Sequence, residues 1–285
     1  MFKGYDIVKK DGDEIEKALD VFYQDPDFIK SVDDFLTNSN TKIHAELDDF
    51  YFQEDVLDGK LLQNTWFPFL EDSHIFLSHS HKDKRTAETV AYLLHRCLDI
   101  NVFIDSQVWG YADDLLQKID DKYSYQKETN TYSYSTRNRT TSNIYLILQN
   151  SLNCMIDKSE CLLFLNTGNT IEEFNNAGHI DQRTSSPWIM SELQFSSMVR
   201  RREHPFANRN VKLEEHFVKK AESTANVVNF EVSHVVATDH LIQRTLGDIF
   251  DWLVHCFNND LKGYQALTSL YEDTFKKKTS RTQIK

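Results

Sequence analysis

His74-Ile75-Phe76-Leu77-Ser78 is a short, almost unbroken apolar run, followed at once by the polar stretch His79-Ser80-His81-Lys82-Asp83-Lys84. Such a run reads as a strand buried on both faces, because a helix-covered parallel strand has no solvent side to keep polar. Ala87, Val90, Leu93, Leu94, Cys97 and Leu98 then recur at three- and four-residue steps, one stripe of a helix. Asn101-Val102-Phe103-Ile104-Asp105 is the next strand. Strand, helix and strand with short joins make a βαβ unit, for which a right-handed crossover is expected.

Toward the carboxyl end, Lys122 to Asn143 contains no aliphatic residue and reads as an inserted surface loop. Ile144, Leu148, Leu152, Met155 and Ile156 restore helical spacing and lead to a third buried strand, Cys161 to Asn166. A second polar insertion, Thr167 to Ser185, precedes a helix from Pro187 to about Arg201. Ser186 is placed to cap that helix, and Pro187 sits at its first position, where a missing N–H costs nothing. Val227 to Val232 is expected as a fourth strand and Val235-Val236-Ala237 as a candidate fifth. Leu246, Ile249, Phe250, Leu253 and Phe257 mark a packed helix, and Leu267, Leu270 and Tyr271 a shorter one. The repeated order predicts an α/β fold, a parallel sheet with helices on both faces. Ligands of such sheets sit beyond the carboxyl ends of the strands. That rule gathers Ser78 to Lys82, Asp105 to Tyr111, and Asn166 onward around one mouth.

Toward the amino end, residues 1–67 hold 16 Asp+Glu against 7 Lys and no Arg, which is 7 minus 16, or -9, of the chain's formal charge of -12. Ile15, Leu19, Val21 and Phe22, then Phe28, Ile29, Val32, Phe35 and Leu36, suit short amphipathic helices. The expected organisation is a helical acidic extension over 1–67, a main domain over 68–260 with insertions near 122–143 and 167–185, and a C-terminal helix with a basic tail over 261–285. A net acidic chain argues against a general nucleic-acid binder. Four scattered cysteines without a CxxC pair fit buried thiols in a reducing compartment better than a disulfide framework or zinc finger. With no secretory signal pattern and no run of about 18 apolar residues, a soluble cytoplasmic protein without a membrane span is expected.

Several chemistries lack their motifs. The chain has no GxxxxGK[ST], no GxGxxG after the first strand, no GxSxG and no HExxH. His79 and His81 alternate in a loop and fit loop polarity better than a metal site. A phosphoacceptor receiver would need a pair of acids closing the first strand, which here closes with Ser78-His79. Asp105 does close the second, but stands alone there. The informative constellation is Trp188 and Glu192, one helical turn apart on one face. Spacing alone fits a packed indole and a solvated carboxylate. The start of this helix, however, faces the sheet mouth, where an indole would stack on an aromatic base and a carboxylate would offset a developing cation. Cleaving an N-glycosidic bond to a cationic base needs one such carboxylate, unlike the paired acids of O-glycosidases.

These pieces together resemble the TIR (Toll/interleukin-1 receptor) domain family, and most closely its bacterial members. Ile75 to Asp83 resembles the family's first strand and its S-H/Y-S-x-x-D loop. Val102 to Ser106 with Trp109-Gly110 is similar to the second strand and BB loop, and Cys161 to Leu165 to the central strand. Ser186 to Leu193 is similar to the S-x-W-x-x-x-E-L helix. The resemblance spans about residues 72–257. It implies a flavodoxin-like fold and cleavage of the nicotinamide–ribose bond of NAD+, to ADP-ribose or a cyclised form, in bacterial anti-phage signalling. It implies no cofactor, NAD+ being the substrate. Glu192 would be the catalytic carboxylate and Trp188 its accompanying indole. Ser78, His79, Ser80 and Lys82 would line the first loop, and Asp105, Ser106 and Trp109 the BB loop. Implied partners are further copies of the chain, with activity rising on assembly, and an effector that responds to the product. Two other readings stand beside this one: a non-catalytic scaffold that self-associates through the BB loop and Asp113-Asp114, and a nucleoside deoxyribosyl transferase.

Overall fold

Five parallel strands form the centre of the computed structural model, which describes residues 1–9, 19–39, 51–53, 56–67, 73–104, 106–176, 179–204 and 232–275. In chain order they are β1 (Lys3–Val8), β2 (Ile75–Ser78), β3 (Val102–Ile104), β4 (Cys161–Asn166) and β5 (Ile242–Thr245), and they lie side by side as β3-β2-β4-β1-β5. The helices are α1 (Pro26–Ser39), α2 (Gly59–Trp66), α3 (Lys84–Leu98), α4 (Ser106–Tyr123), α5 (Tyr134–Lys158), α6 (Pro187–Met198), α7 (Leu246–Asn258) and α8 (Gly263–Tyr271).

Side chains alternate across the sheet, as the pleat requires. Tyr5, Ile7, Ile75, Leu77, Ile104, Leu163 and Leu165 pack on one side with α3, α7, α8 and Leu19. Phe76, Phe103, Leu162 and Phe164 pack on the other with α2, α4, α5 and α6. With both faces covered, each fully buried Leu, Ile or Phe contributes about 1.5–3 kcal/mol over its exposed state. The result is a three-layer, flavodoxin-like α/β arrangement. Among the described residues, no helix is long and apolar enough to cross a membrane.

The βαβ unit forms as its sequence predicts. α3 ends where Asp99 turns into the left-handed region at φ 54° and returns its N–H to His95 and Leu94. α6 begins at Pro187 with the Ser186 hydroxyl capping the Ile189 N–H.

The amino-terminal segment departs from the helical extension expected of it. α1 and α2 are helices, but Lys3–Val8 is an interior strand, paired to β4 on one side and β5 on the other. Gly4 and Asp6 break its apolar run, so it does not read as a strand buried on both faces. The expected fourth strand, Val227 to Val232, falls outside the described residues as far as Glu231, and Val232 is not in a strand. Val235 does pair, but antiparallel to His179–Thr184 in a separate three-stranded sheet. The second polar insertion forms that small sheet, with Glu172–Asn176 beside His179–Thr184.

The first insertion is not a loop either. It comprises the end of α4, a hairpin of Tyr125–Gln126 and Thr131–Tyr132, and the opening turns of α5. Hydrogen bonds replace the missing hydrocarbon: buried Asp120 accepts from Ser124 Oγ (3.0 Å), Arg137 Nε (3.0 Å) and Thr140 Oγ1 (2.5 Å).

Candidate functional site

The chain leaves β2 for β3 on one side and later returns to place β4 on the other side of β2. The order of the sheet therefore reverses between β2 and β4. In open α/β sheets the crevice outside the carboxyl ends at such a reversal is where ligands bind. Ser78 is the last residue of β2 and is fully buried. Its hydroxyl donates to Glu192 Oε2 at 2.5 Å.

Glu192 comes from α6, in which Ile189, Glu192, Leu193 and Ser196 form the buried stripe. It is the only ionisable side chain between Pro187 and Met198, and it is 1% exposed. A helix this apolar would bury hydrocarbon at that position at no cost, whereas burying a carboxylate is expensive unless hydrogen bonds compensate. The Ser78 hydroxyl supplies a charge-assisted bond to the ionised form and fixes its direction. Among the described residues, no cluster of three or more His, Cys, Asp or Glu side chains is placed to hold a metal ion. A crevice lined by Ile7, Leu77, Val90, Leu163 and Ile249 lies on the opposite face of the sheet, and its purely aliphatic wall marks it as packing.

The chain matches no family model, no curated protein and no solved structure.

The other residues singled out from sequence are placed as follows. Trp188 is half-buried and stands edge-on to Tyr145 of α5, ring centroids 5.6 Å apart at 71°. It joins the apolar cluster between α5 and α6. His79 is fully buried and lies within electrostatic reach of Glu88 on α3, the side opposite to Glu192. Ser80 accepts from the Lys82 N–H at 3.3 Å and caps the turn His81–Asp83, a local task, while Lys82 is exposed. Asp105 lies outside the described residues. Ser106 and Trp109, expected on a BB loop, are instead in the first turns of α4. Ala112, Leu115 and Ile119 are buried at helical spacing, and the helix they demand extends back to within one residue of the strand. The structure thus unites Ser78 with Glu192, while Ser80 serves a local cap and Lys82 faces solvent.

Two acids that sequence reasoning left without a role lie at the same end of the sheet. Asp83 is 4% exposed and accepts from Thr167 Oγ1 at 2.6 Å and Asn169 Nδ2 at 3.1 Å. It fastens the turn after β4 to the start of α3, beside a Thr167–Thr170 hydroxyl contact of 2.9 Å. Its place in the S-H-S-x-x-D string is the signal that marks it. Asp6 on β1 is also 4% exposed. Burial pushes its carboxyl above the usual range, and a hydrogen bond from the Asn166 side chain partly offsets this. No local pattern identifies Asp6, because its strand was itself not legible.

Proposed function

We propose that this chain is a TIR-type NAD+ glycohydrolase or ADP-ribosyl cyclase that breaks the nicotinamide–ribose bond, acting in bacterial anti-phage signalling. The observation that carries this reading is Glu192. It is the lone charge of an apolar helix, buried at the reversal point of a parallel sheet and oriented by a strand-end serine. As nicotinamide departs, positive charge builds on the ribosyl carbon and ring oxygen. A preorganised carboxylate at that place stabilises the developing cation without having to reorganise. Ser78 holds Glu192 in place until the substrate's hydroxyls compete for it. The departing base is already cationic, so no acid is needed on the far side. Water, or a nitrogen of the adenine ring, then captures the ribosyl carbon from the vacated face. The first gives ADP-ribose and a proton, the second a cyclic product.

The pair is closed to solvent, so turnover on this reading requires α6 or the Thr167–Ile171 segment to swing outward. Such opening is the step that assembly with further copies would favour. The deciding experiment incubates the purified protein with NAD+ and separates the products by chromatography and mass. Glu192→Gln, which removes the charge with little change in shape, lowers nicotinamide release at least about a hundredfold on this account. Unchanged release by that variant removes the mechanism.

The full burial of Ser78 and Glu192 favours a second reading, in which the pair ties α6 to β2 in a non-catalytic scaffold. Asp113 and Asp114 are exposed on α4 and available for self-association. A purified oligomer that never consumes NAD+ supports the scaffold. Turnover of deoxynucleosides in place of NAD+ redirects the chemistry to base exchange.

A further inference from the structure

Asp6 is a second buried carboxyl on the face of the sheet that carries Ser78. It pairs in register with Phe164 of β4, and Phe164 pairs in register with Ser78 of β2. Residues in register across parallel strands point to the same face. Ser78, Phe164 and Asp6 therefore form one row across three strands, with the outer two roughly 10 Å apart at ordinary strand spacing. Phe164 is fully buried, packed in the core between the two polar ends.

The hydrogen bonding of Asp6 differs from that of the other buried aspartates. Asp83 accepts from two side-chain donors and Asp120 from three, and each fastens a connecting segment. Asp6 is contacted by the side chain of Asn166, while its Oδ1 is buried and meets no hydrogen-bond donor among the described residues. A carboxyl oxygen left so is costly to the fold. It is also an acceptor ready for a hydroxyl.

We propose that Asp6 is a ligand-binding carboxyl of the Glu192 site, accepting a hydrogen bond from a sugar hydroxyl of a ribosyl-containing substrate admitted along the Ser78–Phe164–Asp6 row by the opening that turnover requires. The proposal rests on the ribosyl-cleaving reading of Glu192 and adds the second acceptor that orients the sugar. Glu192 faces the reacting carbon, and Asp6 holds the sugar from the side of β1.

The test uses the full chain in four forms: wild type, Asp6→Asn, Asp6→Ser and Glu192→Gln. ADP-ribose is the calorimetric probe and NAD+ the turnover substrate, with the thermal midpoint measured for each form. Both Asp6 variants weaken ADP-ribose binding and raise KM for NAD+ about tenfold or more, the effect of losing a hydrogen bond to a charged group. Their kcat changes less than KM, as befits lost binding that is common to ground and transition states. Asp6→Asn melts no lower than wild type. Glu192→Gln binds ADP-ribose and does not turn over. Unchanged affinity and KM in both Asp6 variants overturns the proposal, and so does a wild type that does not bind ADP-ribose. Neither result touches Glu192 if its Gln variant still abolishes cleavage. Binding lost in step with the thermal midpoint in both variants assigns Asp6 to the fold alone and also overturns it. If wild type binds ADP-ribose through Asp6 yet never cleaves NAD+, the catalytic reading fails while Asp6 stands as a ligand contact.

Discussion

Ser78 Oγ lies 2.5 Å from Glu192 Oε2, and both groups are out of solvent, so the hydroxyl offsets part of the cost of burying that carboxylate. Ser78→Ala is expected to lower unfolding free energy by about 1.5–3 kcal/mol, the range for a hydrogen bond to a charged group. Urea denaturation at neutral pH measures it, and a change within error would show the bond to be dispensable. Two other titratable groups act oppositely on stability. His240 contacts Ser196 Oγ at 2.7 Å. Burial, with help from Arg201, pushes its imidazole down from 6.5 to about 4. The unfolded chain therefore binds more protons across that window, and stability falls as pH drops from 6.5 toward 4. Asp6 has its carboxyl raised above 3.8 by burial, so the folded chain binds more protons there. Its contribution is present below 3.8 and is lost as pH rises through the folded value. His240→Gln is thus expected to flatten the acid limb of the stability curve, and Asp6→Asn to steepen it. Thermal melts between pH 4 and 7 decide both, and slopes of the reverse sign would contradict the assignments.

At the scale of elements, Asp83 joins the turn His81–Asp83 and the start of α3 to the segment after β4 through Thr167 and Asn169. Asp83→Ala leaves the buried Thr167 hydroxyl without this acceptor and should cost about 1–3 kcal/mol. Hydrogen exchange should quicken at Thr167–Ile171 before it does in the central strands; uniform quickening would mean the clamp is not local. Asp83 also shows what was legible and what was not. Its S-H-S-x-x-D string was readable, as were α3 and the capped start of α6, because apolar period and capping chemistry are local. The polar stretch Lys122 to Asn143 was not, because its order comes from hydrogen bonds to Asp120, which leave no hydrophobic period. The expected BB loop failed for a related reason: Ser106 and Trp109 are drawn into the helix demanded by Ala112, Leu115 and Ile119.

At the scale of the whole molecule, the slot between β4 and β5 is filled by the first strand of the chain rather than by a later one. Gly4 makes that fit feasible, because a Cβ there would come within 2.5 Å of Leu241 Cδ2. Gly4→Ala is expected to destabilise by about 1–3 kcal/mol, the cost of overpacking a filled core, with a fall in thermal midpoint as the readout. An unchanged midpoint would mean that Leu241 yields freely. The sequence by itself determined β2, β3 and β4, the helices that carry apolar stripes, and the placing of Glu192 one turn into a capped helix. Periodicity and capping depend only on near neighbours along the chain. The tertiary structure alone decided that Lys3–Val8 lies beside Cys161–Asn166 and that Asp6 shares a row with Ser78. Pairing in a parallel sheet is settled by hydrogen bonds and side-chain volume between segments distant in sequence, and no local pattern encodes which distant segment will arrive.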